Sequence, residues 1–303
     1  MTRPPRDIAA SVWARLLDRA RERGDDFQLV LTRYLNERLL YRLSQSRYGP
    51  SFVLKGATVF SVWTGEPYRA TRDVDLLGFG DPSEDRLRAV FRDVLTAEVP
   101  DDGVWFRLDS LAVGPIRADQ EYGGVRLTVE SGVATARVRL QVDVGFGDAI
   151  TPEAVEEQLP TLLDFPPPRL RVYPRETVVA EKLEAMVTLG LLNSRMKDFY
   201  DLAVLSRTFA FDGALLQRAI RATFERRGTP LPAAPPVAFT EEFSRDPAKA
   251  TQWMAFCRKT GATSAGELPA VVAEIQCFLS APLRTASRGE EFALRWSDGG
   301  PWT

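Results

Sequence analysis

Residues 71–80 read TRDVDLLGFG, in which two aspartates separated by one valine are followed by an apolar run that ends in glycines. The apolar run predicts a β-strand closed by a turn. Side chains alternate between the two faces of a strand, so Asp73 and Asp75 project from one face while Val74 and Leu76 face the core. The segment therefore predicts a strand of a buried sheet that presents two acids on one face.

The paired carboxylates of Asp73 and Asp75 need a physical reason to share one face. They lie about 5–7 Å apart on a strand and repel each other unless a cation lies between them. Mg²⁺ prefers oxygen ligands and often completes its shell with nucleotide phosphates. The pair therefore indicates a magnesium site that also binds a nucleotide. The same spacing fits a solvated strand end, and this alternative stays open.

A third acid, Asp143, occurs in the segment QVDVGFGD at 141–148. It lies between Val142 and Val144 in an alternating pattern that predicts a strand over 136–146. If this strand neighbours the first one, three carboxylates converge, and three acids can hold the two metal ions used for in-line phosphoryl transfer. The alternative is an acid near a turn that accepts hydrogen bonds from backbone amides.

Three further residues near the acids are candidates for nucleotide binding. Lys55 and Gly56 lie where a strand is expected to meet a helix, and backbone amides at a helix start can bind phosphate where glycine allows close approach. Thr71 precedes the acids and can donate its hydroxyl hydrogen to a phosphate. A simple turn explains the glycine and the threonine equally well.

The patterns on either side of the acids predict a mixed sheet flanked by helices over residues 52–150. Two amphipathic helical patterns come before it. They cover residues 8–23 and 27–46, and the sheet region continues with a helix at 83–96 and strands at 106–113, 125–130 and 136–146.

The segment DFPPPRLRVYP at 164–174 is too rich in proline for a helix interior, so it predicts a domain boundary. Residues 1–165 are expected to form N-terminal helices plus a sheet core, and residues 166–303 a helical domain. The predicted fold class is α+β. The later helices are expected at 175–191, 195–208, 213–227, near 240–260 and at 266–278.

The composition excludes several kinds of chemistry. The 303 residues include no histidine, which rules out a Ser-His-Asp triad, a Cys-His pair and a His-ligated zinc site. The two cysteines are expected to be reduced thiols, as in cytoplasmic proteins. The chain shows no leader-like start and no run of about 20 apolar residues, so we expect no membrane insertion. Residues 169–230 hold eleven Lys+Arg against seven Asp+Glu, a local +4 that is compatible with a polyanionic partner.

Four segments, in order, resemble the AbiEii/AbiGii-type nucleotidyltransferase toxins of type IV toxin–antitoxin systems. They are FVLKGATVFSVW at 52–63, TRDVDLLGFG at 71–80, QVDVGFGD at 141–148 and VVAEKLEAMVTLGLLNSRMKDFYDL at 178–202. The resemblance runs from about residue 27 to 230, and the family's core resembles that of DNA polymerase β-like nucleotidyltransferases. It implies a nucleotidyltransferase-type mixed sheet in the N-terminal domain.

The resemblance also implies roles for individual residues. Asp73 and Asp75 would be catalytic metal ligands, and Thr71 stands where family members often carry serine. Lys182 would match the family's nucleotide-contacting, catalytic lysine, which acts as a point charge. Asp198 and Asp201 would match the family's late acidic motif, in which one acid, here assigned to Asp198 with Asp201 as the alternative, serves as general base or orients the acceptor.

Asp201 belongs to the same late acidic motif and would contribute to nucleotide binding. Spacing alone favours a different interpretation of this helix. Arg195 with Asp198, and Lys197 with Asp201, lie three and four residues apart and would form pairs that stabilise a helix by about 0.2–0.5 kcal/mol without any catalysis.

The activity implied by the resemblance is transfer of a nucleoside monophosphate from a nucleoside triphosphate to an RNA acceptor, the tRNA 3′ end, with release of pyrophosphate. The donor would be CTP or UTP, the cofactor Mg²⁺ and the location cytoplasmic, with a cognate antitoxin as a further partner. Two alternatives stay open. One is nucleotidylation of a protein hydroxyl, and the other is a nucleotide-binding protein without catalysis.

Overall fold

The computed structural model describes residues 7–65, 69–116, 124–262 and 265–303, so the basic start of the chain at 1–6 lies outside the described residues. Contacts divide the chain into two units. The first runs to residue 147 and includes 155–172, and the second comprises 148–154 and 173–303. The sequence analysis placed the boundary after residue 165. The division falls later because the residues that follow the prolines form a strand of the first unit.

The first unit combines a sheet with helices. Its described helices are α1 (Ile8–Arg23), α2 (Phe27–Gln45), α3 (Thr58–Thr64) and α4 (Glu84–Leu95). Its strands are β1 (Phe52–Lys55), β2 (Asp73–Gly78), β3 (Val104–Pro115), β4 (Val125–Val133), β5 (Ala136–Phe146), β6 (Val155–Gln158) and β7 (Arg169–Val172). Aspartate or serine side chains accept a backbone hydrogen bond at the starts of α1, α2 and α4, which satisfies amides that have no partner within the helix.

The seven strands form one mixed sheet in the order β3-β4-β5-β2-β1-β7-β6. The pairs β2–β5 and β1–β7 are parallel, and the other neighbours are antiparallel. This mixed sheet with flanking helices confirms the predicted fold class. The strand pattern of the sequence also gave the bounds of β5 correctly, because alternate positions of that strand are buried.

The core of the first unit lies on the apolar face of the sheet. Val74 of β2 and Val142 of β5 are buried there together with Leu35 and Leu39 of α2. Burying a side chain of this size contributes about 1.5–3 kcal/mol, so this burial determines which side chains of each strand point toward the core. The polar residues that alternate with the apolar ones must then project from the other face, which we call the polar face.

A buried ion cluster ties α2 to the loop before β3. Asp102 is 1% exposed, accepts from Arg38 Nε at 2.8 Å and binds both terminal nitrogens of Arg42 at 2.7 and 3.0 Å. Burial opposes ionisation of Asp102, but the two guanidinium groups hold its pKa below the usual range. The neighbouring Glu37 accepts from the amide of Leu162, which also fastens the segment before β7 to α2.

The second unit is mainly helical. It contains α5 (Arg175–Leu189), α6 (Met196–Thr208), α7 (Gly213–Arg226), α8 (Glu241–Ser244), α9 (Pro247–Thr260) and α10 (Leu268–Arg288), with a two-stranded ribbon of β8 (Phe211–Asp212) and β9 (Arg295–Trp296). Helices α5 and α7 pack together, as do α6 and α10. In the described part of the chain, no helix has the length and apolar character to cross a membrane.

Candidate active site

The strand register of the first unit brings four charged residues into one row across the sheet. Lys55 of β1 lies opposite Asp75 of β2, Asp75 lies beside Asp143 of β5, and Asp143 lies opposite Arg126 of β4. All four are half-buried and lie on the polar face. Because the apolar partners of these strands must stay in the core, a slip by one residue is excluded and the row is fixed.

Three carboxylates gather at this row. One oxygen from each of Asp73, Asp75 and Asp143 can be chosen so that all three lie within 4.8 Å of one another. Two ligands on opposite sides of one Mg²⁺ lie about 4.2 Å apart, since each bond is about 2.1 Å long. The set therefore fits a hard divalent cation after a small rotation of a side chain, and all its donors are oxygens, which such a cation prefers.

Arg126 is a member of the site that sequence reasoning missed. Its Nε and Nη2 donate to the two oxygens of Asp143 at 2.8 and 2.7 Å. The hydrogen bond to Asp143 raises the pKa of Arg126, and the charges of Asp73 and Asp75 add to the effect. The fork fixes the orientation of Asp143, and Nε2 of Gln141 also donates to its Oδ2 at 3.3 Å, so Oδ1 keeps a lone pair for a metal. The sequence feature that could have indicated Arg126 is its position among the polar residues of the alternating pattern of β4.

Thr71 and Lys55 both lie at the acid cluster. The hydroxyl of Thr71 donates to Oδ1 of Asp73 at 2.9 Å, so in this structure it orients a carboxylate. Lys55 ends β1 directly opposite Asp75, where its positive charge offsets part of the acid charge. The structure therefore places both residues beside the carboxylates that the sequence analysis singled out.

Gly56 lies at the junction of β1 and α3, and its conformation admits no other residue without strain. Its φ is +72°, in the left-handed region. A Cβ added at this position would lie 2.7 Å from Cγ of Asp75 and closer still to Oδ2. The glycine thus lets the Asp75 carboxylate lie directly against the backbone.

We expect Gly56→Ala to lower activity at least tenfold, because the new Cβ displaces the Asp75 carboxylate. The left-handed backbone adds a loss of stability of about 1–2 kcal/mol. Gly65→Ala is the matched control, since Gly65 has φ +79° but open space around its Cβ position. It should lose similar stability and keep its activity. Full activity in Gly56→Ala would show that the close approach has no role.

The remaining predicted residues form a cluster in the second unit. Nζ of Lys182 on α5 donates to Asp198 at 2.8 Å and to Asp201 at 2.7 Å, both on α6. The two acids are 0% and 1% exposed, and Arg195 also forms an ion pair with Asp198. The pair of Arg195 and Asp198 matches the helix pairing expected from spacing. Asp201 instead binds Lys182.

Two solved structures share the fold of this chain. MenT4, a nucleotidyltransferase toxin from Mycobacterium tuberculosis, is 18% identical with a TM-score of 0.51, over 92% of this chain and 93% of that chain. A candidate nucleotidyltransferase from Helicobacter pylori is 15% identical with a TM-score of 0.50, over 88% of this chain and 100% of that chain. At these identities the likeness shows the fold.

The family follows from the sequence itself. Residues 38–272 match the family model described as Nucleotidyl transferase AbiEii toxin, Type IV TA system. The chain belongs to this family of nucleotidyltransferases, as its motifs predicted. A comparison with curated proteins found no match.

Proposed function

We propose that this enzyme transfers a nucleoside monophosphate from a nucleoside triphosphate to the 3′ end of a tRNA, with Mg²⁺ held by Asp73, Asp75 and Asp143. The observation that supports this most is the convergence of the three carboxylates on the polar face of the sheet. Membership of a nucleotidyltransferase toxin family supports the reaction class. The RNA acceptor and a CTP or UTP donor come from the family resemblance.

In this proposal each acid has a role. A bound divalent metal would neutralise triphosphate charge and lower the pKa of the attacking hydroxyl. Asp73 and Asp75, on the same face of β2, would hold the ion on the triphosphate side. Asp143 would face the acceptor hydroxyl, with its carboxylate oriented by Arg126. Lys55 and Gly56 would lie against the phosphates. The charge of Lys55 would offset phosphate charge, and the absence of a side chain at Gly56 would let backbone amides approach the phosphate oxygens.

The cluster of the second unit has a proposed role in nucleotide binding. Lys182 would contact the triphosphate as a point charge. Since Asp198 and Asp201 both accept hydrogen bonds from its ammonium group, the structure favours a role for these acids in positioning the lysine. In this proposal the first unit is the catalytic core and the second unit is the helical domain.

The biological setting is part of the same proposal. As a member of a type IV toxin family, the protein would act in the cytoplasm and be opposed by a cognate antitoxin. Cys257 and Cys277 are free thiols, which is consistent with a reducing compartment.

Transfer of label tests the proposed reaction. The protein is incubated with total tRNA and each α-labelled triphosphate in turn, with Mg²⁺ and then with EDTA. We expect label in tRNA, with CTP or UTP as donor, and none after chelation. Label in protein would support nucleotidylation of a hydroxyl side chain instead, and no transfer at all would indicate a non-catalytic nucleotide-binding protein.

Loss of the Arg126 fork should affect both the metal and the apo protein. We expect Arg126→Ala to lower transfer at least tenfold and to raise the Mg²⁺ concentration needed for half-maximal activity, because Asp143 is no longer held in place. Its melting temperature without metal should also fall, since three acids lose a neighbouring cation. Arg126→Lys should recover part of the stability but little activity, because an ammonium cannot form the fork.

Arg15→Ala serves as a control for that experiment. Arg15 forms an exposed ion pair with Asp164, and exposed pairs contribute about 0–1 kcal/mol. It should leave activity and metal dependence unchanged. An Arg126→Ala variant with wild-type metal dependence would contradict the positioning role.

A further inference from the structure

The polar face of the sheet continues past the acids toward the far ends of β4 and β5. On β5 the exposed Arg139 and Arg137 lie four and six residues before Asp143. Because these separations are even, both side chains lie on the same face as Asp143. Strand geometry places them about 13 and 20 Å from Asp143. This strip of the sheet, from Asp143 to Arg137, is long enough for several nucleotides of a single strand.

Neighbouring strands add to the positive charge of the strip. Arg107 of β3 lies opposite Glu130 of β4, and Glu130 lies opposite Arg139 of β5. Arg107 binds Glu130 at 2.7 Å, whereas Arg137 lies 3.7 Å from the same acid and is 65% exposed. Among the described residues Arg139 forms no ion pair, and it donates to the hydroxyl of Thr128. Around Glu130, three arginines therefore face one acid, which makes this end of the strip positive.

An aromatic ring lies at the far end of the strip. Trp105 is opposite Gly132, and a Cβ on that glycine would lie 2.6 Å from the indole, so the ring covers the polar face at this point. Its Nε1 donates to the carbonyl of Ala134 at 3.2 Å, which fixes the ring. An open notch of about 460 Å³ surrounds it, lined by Trp105, Phe106, Arg107, Ala134, Thr135 and Arg137.

We propose that the single-stranded 3′ end of the RNA acceptor lies along this strip, with phosphates against Arg139 and Arg137 and a base against Trp105. This inference rests on the proposed function. Guanidinium groups spaced along a groove bind phosphates, and an aromatic side chain beside them stacks on bases of any sequence. The direction of the strip then brings the terminal hydroxyl to Asp143. A protein acceptor offers neither regularly spaced phosphates nor bases.

Charge reversal on the strip tests the proposal. The affinity of a short fluorescein-labelled single-stranded RNA is measured by anisotropy at several salt concentrations, without nucleotide or Mg²⁺. We expect Arg137→Glu/Arg139→Glu to weaken binding at least tenfold. The plot of log affinity against log salt concentration has a negative slope, and its magnitude should decrease by about 1.4. Each phosphate contact on a single strand contributes about 0.7 to this magnitude, and the variant loses two contacts. Trp105→Ala should weaken binding severalfold at an unchanged salt slope.

A matched control reverses two arginines of the same unit away from the strip. Arg92 lies on α4 and Arg21 on α1, on helices that pack against the apolar face of the sheet, and both are exposed. Arg92→Glu/Arg21→Glu changes the net charge equally and should keep wild-type RNA binding. Equal losses in both double variants would show a general charge effect and overturn the proposed strip.

The outcomes separate this inference from the proposed function. If wild-type protein labels RNA while Arg137→Glu/Arg139→Glu keeps its affinity and its KM for RNA, the strip is wrong and the reaction stands. If wild-type protein labels a protein hydroxyl, the proposed function fails. Binding of duplex RNA in preference to single strands would also overturn the inference, because the stacked base must be unpaired.

Discussion

Replacing Asp73 with asparagine should abolish nucleotidyl transfer while the protein stays folded. Asparagine keeps the shape of the side chain but removes one negative charge from a site where three carboxylates lie together. The field that holds a divalent cation on the triphosphate is then lost, a contribution of several kcal/mol. We expect at least a hundredfold lower activity, which corresponds to about 2.7 kcal/mol. The assay is transfer from an α-labelled triphosphate.

Two further measurements make that result interpretable. In the absence of metal, Asp73→Asn should melt at the same temperature as wild type or higher, because it removes repulsion within the cluster. Glu156→Gln, on the exposed edge strand β6, is the control for losing an acid from the same sheet and should keep full activity. Activity of Asp73→Asn within threefold of wild type would contradict a catalytic role for the cluster.

Lys182→Ala should cost stability as well as activity. The variant leaves Asp201 buried without the ammonium group that binds it, and leaves Asp198 with Arg195. Removing one partner of a buried ion pair costs about 3–5 kcal/mol. Urea unfolding should show this loss. Transfer measured under folding conditions should also fall at least tenfold, which corresponds to about 1.4 kcal/mol.

A variant that neutralises the whole cluster separates the two effects. Lys182→Met with Asp198→Asn and Asp201→Asn leaves no unpaired buried charge, so it should regain much of the lost stability. If Lys182 contacts the triphosphate, this variant stays impaired. High triphosphate concentration restores its rate where the lysine only binds substrate, and fails to do so where the lysine neutralises charge in the transition state. Wild-type kinetics in the stable triple variant would show that the lysine is structural.

Much of the sheet could be predicted because its pattern is local. The alternation in β5 and the acid pair that opens β2 both follow from the period of two along a strand. The family resemblance supplied the late motif. The short strand β7 was missed because it directly follows three prolines, where an extended segment and a linker look alike in sequence.

The rest depends on contacts between segments far apart in the chain. Arg126 binds Asp143 only because β4 and β5 pair in one particular register, and this register could not be predicted from the sequence. Asp201 binds Lys182 of the preceding helix and not Lys197 of its own helix, because the buried acid requires a partner that reaches into the core. The close approach of Gly56 to Asp75 likewise appears only when β1 and β2 are adjacent.

The most direct test of the account locates the metal itself. Crystals of the protein are soaked with Mn²⁺ and a non-hydrolysable triphosphate, and anomalous scattering identifies the ion. The account predicts an anomalous peak about 2.2 Å from carboxylate oxygens of Asp73 and Asp75, with Asp143 in the same cluster. Mn²⁺ and triphosphate bound elsewhere, with the three acids carrying no ion, would contradict it.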